Sequence, residues 1–194
     1  MKKIIIIAGY LASGKSTFAL RLSKEINVPY FIKDTFKSAI CAKIPITNRD
    51  EGRRFSAATF DAIMYVTERF METGYPLIIE GNFVLGGYMK ANEAEMINAL
   101  IEKYDYQSLT YIFVGDTSVM CDRFNERERL PERGQANQVF SEMTHEDFSK
   151  LLPPLGDFIV GGEIIKIDTT DFDKVDFENH IETARLFLNT GRWL

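Results

Sequence analysis

Cysteine and histidine are scarce in this chain, two of each in 194 residues. Cys41 and Cys121 stand far apart with no C-x-x-C pattern, which argues against a disulfide scaffold and against a cysteine zinc site. His145 and His180 are isolated and lack the spacing of a metal-ligand pair. His145 reads as a residue at a helix start. There is one tryptophan, Trp193, read as packing. Long apolar runs are also missing. The opening run, Ile4 to Ala8, is far shorter than a bilayer span and carries no signal-peptide cleavage pattern. Positive charge is in deficit, 23 Lys and Arg against 28 Asp and Glu, for a formal net charge of −5. That balance argues against duplex nucleic acid as a partner, although one basic patch would be compatible with it. The expectation is a reducing, cytoplasmic setting without membrane contact, as a monomer or homodimer.

What is present is ordinary globular material: 45% hydrophobic and 26% charged residues, with no internal repeat or low-complexity linker. The length suits a single domain, residues 1–194, that buries a core without staples. Apolar β-branched runs alternate with segments of 3.6-residue periodicity. Strands are expected at 4–8, 30–32, 76–80, 110–114 and 164–167. Helices are expected at 16–26, 35–42, 56–71, 93–104, 118–128, 144–152 and 175–188. Such alternation predicts an α/β fold with a parallel sheet covered on both faces. The polar segment 42–55 is a candidate for substrate recognition. Arg53 and Arg54 within it suit either the substrate side of the cleft or a plain surface pair.

One motif sets the chemistry. Gly9-Tyr10-Leu11-Ala12-Ser13-Gly14-Lys15-Ser16, followed by Thr17, fits G-x-x-x-x-G-K-[ST] between a strand and a helix. Its glycines let backbone N–H groups turn inward around phosphate oxygens, and the helix N-terminus adds partial positive charge. Gly9, Ala12, Ser13, Gly14, Lys15, Ser16 and Thr17 are therefore the expected ATP-binding residues. Lys15 is suited to the β- and γ-phosphates, and the Ser16 hydroxyl to one Mg²⁺ position. The side chains of Tyr10 to Ser13 are given no chemistry of their own.

Ligands of an open parallel sheet bind beyond the C-terminal ends of its strands. Asp34 follows the second strand and Glu80 ends the third. Asp34 is suited to accept the proton of an attacking hydroxyl, and capping of the next helix is compatible with that role. Glu80 is suited to Mg²⁺ or its water shell. Lys33 and Lys37 flank Asp34. Either could meet an anionic substrate, but solvated lysines are the expectation. Arg123, Arg127, Arg129 and Arg133 fall within eleven positions, around Pro131 and Gly134. They suit a lid, at about residues 123–138, that neutralises phosphate oxygens. A salt-bridged surface helix is the plainer alternative, because Glu126, Glu128 and Glu132 interleave with them.

With these residues in hand, the chain resembles the P-loop kinase-like phosphotransferases, in particular the chloramphenicol phosphotransferase and zeta-toxin branch. The resemblance rests on residues 9–17, on Asp34, on Ile79-Glu80-Gly81-Asn82, on Arg127-Glu128-Arg129 and on Arg133-Gly134-Gln135-Ala136. It implies a five-stranded parallel sheet in order 2-3-1-4-5 with a lid. It also implies ATP- and Mg²⁺-dependent phosphorylation of a hydroxyl on a small molecule or nucleotide-like acceptor. The hydroxyl-activating acid falls on Asp34 and the phosphate-clamping arginines on Arg127, Arg129 and Arg133. Asp168 and Thr169 fall where the end of strand five borders the adenine pocket. Many relatives have aspartate where this chain has Glu80, which moves the expected metal contact toward a water-mediated one. The resemblance carries no substrate across. A regulatory NTPase switch and a 5′-hydroxyl polynucleotide kinase are the competing readings.

Overall fold

The computed structural model describes residues 2–83, 92–128 and 142–190. Five parallel strands form one sheet in the order β2-β3-β1-β4-β5. They are β1 (Lys3–Gly9), β2 (Tyr30–Ile32), β3 (Leu77–Glu80), β4 (Gln107–Val114) and β5 (Glu163–Asp168). The helices are α1 (Lys15–Ile26), α2 (Lys33–Cys41), α3 (Arg49–Thr73), α4 (Glu93–Tyr104), α5 (Thr117–Glu128), α6 (His145–Leu151), α7 (Pro153–Gly156) and α8 (Phe177–Asn189).

The run Ile4 to Ala8 is fully buried because β1 is the central strand and both faces of the sheet are covered. Its side chains alternate between two cores. Ile4, Ile6 and Ala8 pack with Leu77, Ile79, Ile63 of α3 and Ile97 of α4. Ile5 and Ile7 pack with Phe18 and Leu22 of α1, Ile78, Tyr111 and Ile181 of α8. The sandwich therefore aims every strand's C-terminal end at one rim. Among the described residues no helix is long and apolar enough to cross a membrane.

Three boundaries differ from the sequence reading in ways that matter. The long helix begins at Arg49, so residues 49–55, expected to precede it, are its opening turns. The Asn48 side chain caps the Glu51 N–H at 2.9 Å, and the Glu51 carboxylate accepts from the Thr47 N–H at 2.7 Å. This reciprocal capping overrides the local polarity. Helix α2 begins at Lys33 directly after β2, so Asp34 lies in its first turn instead of capping it. Strand β4 also starts at Gln107, because parallel pairing from Lys3 onward extends it past its apolar stretch.

The lid region is described only through α5. Asn125 of α5 and Met143 exchange two hydrogen bonds. Asn125 Nδ2 donates to the Met143 carbonyl at 2.8 Å, and the Met143 N–H donates to Asn125 Oδ1 at 3.0 Å. Arg129 and Arg133 lie outside the described residues, as does Trp193. His145 begins α6 and pairs with Asp122 at 2.8 Å, and Arg53 is an exposed partner of Asp50.

Candidate active site

The phosphate loop leaves β1 at Gly9, whose φ of 115° belongs to the left-handed region. A Cβ there would lie 2.1 Å from the Phe113 carbonyl oxygen, so no other residue fits against β4. The Tyr10 N–H donates to that same carbonyl at 2.7 Å and fixes the loop's departure from the sheet. The loop then turns back on itself. The Tyr10 carbonyl accepts from the Ser13 hydroxyl at 2.7 Å and from the Lys15 ammonium. Ala12 and Gly14 both take positive φ, 56° and 87°, and Gly14 delivers the chain into the first turn of α1.

Lys15 and Glu80 are buried, and the Ser16 hydroxyl donates to Glu80 Oε2 at 2.9 Å. Burial pushes the Lys15 ammonium below its ordinary pKa; Glu80 and then Asp34 oppose that, while Arg127 adds to it. Burial pushes the Glu80 carboxyl up to about 7, with Asp34 adding to the rise and Lys15, Ser16 and Arg127 opposing it. Lys15, Glu80, Asp34 and Arg127 line one volume.

That volume is a cleft of about 250 Å³ lined by residues 11–17, Asp34, Glu80, Asn82, Arg123, Arg127 and Phe172. Loop, strand-end acids and the described arginines thus meet at the C-terminal rim, as the sequence reading requires. Gly9, Asp168 and Thr169 are not among the lining residues. The Thr169 hydroxyl is spent on the Val114 carbonyl at 3.1 Å, and Asp168 accepts from the Thr170 N–H and hydroxyl at 2.8 and 2.6 Å. Arg123 is fixed by donating to the carbonyls of Thr169 and Thr170 at 2.6 and 2.9 Å, with its guanidinium 4.1 Å from the centre of the Phe172 ring. A larger hollow of about 510 Å³ lies beside residues that precede β2 and β3, and its charged residues are only Glu25 and Arg185.

The sequence reading passes over Phe172, and it quotes Asn82 in the resemblance without giving it a role. Phe172 follows β5 closely, so the strand-end rule that finds Asp34 and Glu80 would have found it too. Lys33 corrects an expectation: it is buried and ion-paired with Glu93 at 2.6 Å, not solvated.

The chain matches no family model, and it matches no curated protein sequence. Among solved structures it superposes on a putative kinase from Chloroflexus aurantiacus with a TM-score of 0.83 at 20% identity, over 95% of this chain and 97% of that one. A sugar kinase from a Janibacter species gives 0.56 at 15% identity, over 98% and 96% of the two chains. A gluconokinase from Sinorhizobium meliloti gives 0.55 at 14%, over 96% and 91%. The fold is that of the P-loop kinases.

The oxygens of Ser16 and Glu80, already within hydrogen-bond distance, are a donor set suited to Mg²⁺, which commonly takes one or two carboxylates together with substrate phosphates. Among the described residues no group of three His, Cys, Asp or Glu side chains gathers as a separate metal cage.

Proposed function

We propose that this protein is an ATP-dependent kinase that transfers the γ-phosphate to a hydroxyl of a small-molecule acceptor. The observation that carries the reading is the presence of Asp34 in the same cleft as residues 11–17, Lys15 and Glu80. A phosphate loop alone serves any NTPase. A carboxylate facing it from the neighbouring helix suits a second substrate. The names of the structural relatives agree with this reading.

In this scheme the backbone of residues 9–17 and the Lys15 ammonium hold the β- and γ-phosphates. Ser16 and Glu80 would hold Mg²⁺, which would supply charge neutralisation at those phosphates. Asp34 accepts the acceptor's proton as its oxygen bonds to Pγ. The bond from Pγ to the bridging oxygen breaks, and its electron pair leaves with ADP. Arg127 meets the charge on the transferring group, and Arg129 and Arg133 complete that clamp. Arg123, Phe172 and the Asp168-Thr169 strand end border the base.

The test is an acceptor screen with labelled ATP and Mg²⁺, scored by product mass. A phosphorylated small molecule upholds the kinase reading. Hydrolysis with no phosphorylated product points to an NTPase switch, and label on nucleic-acid 5′ ends points to a polynucleotide kinase.

A further inference from the structure

The two lysines that bracket Asp34 on α2 have their charges met differently. Lys33 is answered by Glu93 at 2.6 Å, both side chains being buried, and sits 5.2 Å from the centre of the Phe60 ring. Lys37 lies one helical turn beyond Asp34, on the same side of α2. It donates to the Ser56 hydroxyl on α3 at 2.9 Å, and that partner is neutral. Ser56 in turn donates to the Gly52 carbonyl at 3.0 Å, so its hydroxyl is oriented to receive the ammonium. Among the described residues no carboxylate stands within ion-pair distance of Lys37.

The Lys37 side chain is half-buried against the opening turns of α3. Gly52 is buried beneath it, and a Cβ there would lie 3.9 Å from Lys37 Nζ. Burial pushes the ammonium below its ordinary pKa, Asp34 and Cys41 oppose that, and Lys33 adds to it. The chief opposing charge on Lys37 is therefore the carboxylate assigned to the reacting hydroxyl. A desolvated cation without a carboxylate partner gains from an added anion, and that anion would otherwise be repelled by Asp34.

We propose that Lys37 anchors an oxyanion of the acceptor, which is therefore a small hydroxy acid or hydroxy phosphate ester rather than a neutral sugar or alcohol. The inference rests on the kinase reading for the role of Asp34. Side chains three apart on a helix stand about 5–6 Å apart at Cβ. One compact molecule can thus place its hydroxyl at Asp34 and its oxyanion at Lys37. Lys33 is already neutralised, so the anion lies toward α3.

The test uses matched polyols: glycerol, glycerate and glycerol 3-phosphate, with longer neutral sugars beside their acid and phosphate forms. Binding to the full chain saturated with Mg·ADP is read by calorimetry, and transfer from Mg·ATP is read separately. Anions should bind and neutral partners should not, with the two anionic arms showing whether carboxylate or phosphate is preferred. Lys37→Met should weaken anion binding, or raise KM for the anionic acceptor, about tenfold to a hundredfold, as for loss of one charged hydrogen bond. Its kcat and its affinity for Mg·ATP should stay near wild type, and Lys37→Arg should restore most of the loss. A residue that merely ties α2 to α3 would instead lower thermal stability and affect neutral and anionic acceptors alike. Equal use of neutral and anionic acceptors, absence of anion binding, or unchanged anion affinity in Lys37→Met would overturn the proposal. Anion binding that depends on Lys37, in a protein that phosphorylates nothing, would uphold the anchor and sink the kinase reading.

Discussion

The Ser16 hydroxyl donates to Glu80 across 2.9 Å and so ties the first turn of α1 to the end of β3. This contact joins the phosphate loop to the strand-end acid before any ligand enters. It also keeps a buried carboxyl beside a buried ammonium, which makes the site sensitive to protons.

Glu80 gives the first prediction. Its carboxyl is pushed up to about 7 from an ordinary 4.5, mainly by burial. Between those values the folded protein binds the proton more tightly than the unfolded chain. The stabilising contribution is complete below about 4.5 and is lost as pH rises through about 7. The gap corresponds to about 3 kcal/mol at most. Glu80→Gln, neutral throughout, should therefore gain stability over wild type at about pH 8, and the gain should shrink toward about pH 4.5. Urea unfolding in EDTA at both ends of that range is the measurement. A difference independent of pH would mean that Glu80 does not titrate there.

The second prediction concerns Asp34. Asp34→Asn should lower kcat for acceptor phosphorylation by about 10² to 10⁴, the usual cost of a lost proton acceptor. The Kd for Mg·ATP should move little, because the loop and Lys15 remain. Binding lost in step with turnover would make Asp34 part of the nucleotide site instead.

Lys15 supplies the converse case. Lys15→Ala removes a buried ammonium from the phosphate cradle, and turnover should fall by about 10² or more. Nucleotide affinity should weaken less, since the backbone N–H groups also bind. Calorimetry with Mg·ATP beside a turnover assay checks it; a variant equal to wild type in both would refute the assignment.

The buried pair of Lys33 and Glu93 predicts a stability effect at some remove from the chemistry. Lys33→Met leaves the Glu93 carboxylate without its ammonium in a buried place and should cost about 3–5 kcal/mol. Adding Glu93→Leu should recover much of that. Chemical denaturation of the single and double variants measures the coupling, and additive losses would show that the pair does not act as a unit.

Gly9 and Gly74 make a controlled comparison. Both take positive φ, 115° and 74°, so alanine carries a left-handed penalty of about 1–2 kcal/mol at each. Among the described residues only Gly9 has an obstacle: the Phe113 carbonyl oxygen stands 2.1 Å from where an alanine methyl would sit, whereas none of them stands within 4 Å at Gly74. Gly9→Ala should therefore cost clearly more than Gly74→Ala in thermal melts. Equal costs would show that β4 yields.

The residues that are legible in the sequence share a property: their meaning is local or set by topology. Residues 9–17 declare themselves by spacing, and the apolar run before them supplies the strand. Asp34 and Glu80 follow from the rule about strand ends, which needs only the order of elements. Lys33 is not legible, because its burial depends on Glu93 arriving from a helix sixty positions away. Arg123 is read as part of a phosphate-neutralising lid, and it lines the cleft. Its anchoring on the Thr169 and Thr170 carbonyls depends on how α5 meets the end of β5. The start of α3 is a different kind of miss. Thr47, Asn48 and Glu51 carry a capping signal in plain view, obscured by the glycine and arginines that follow.

The paired hydrogen bonds between Asn125 and Met143 bear on how α5 and α6 are coupled. They hold Met143 against α5. A single side chain thus joins the last turns of α5 to the residue just before the Thr144 cap of α6, and Asn125→Ala would remove both bonds at once.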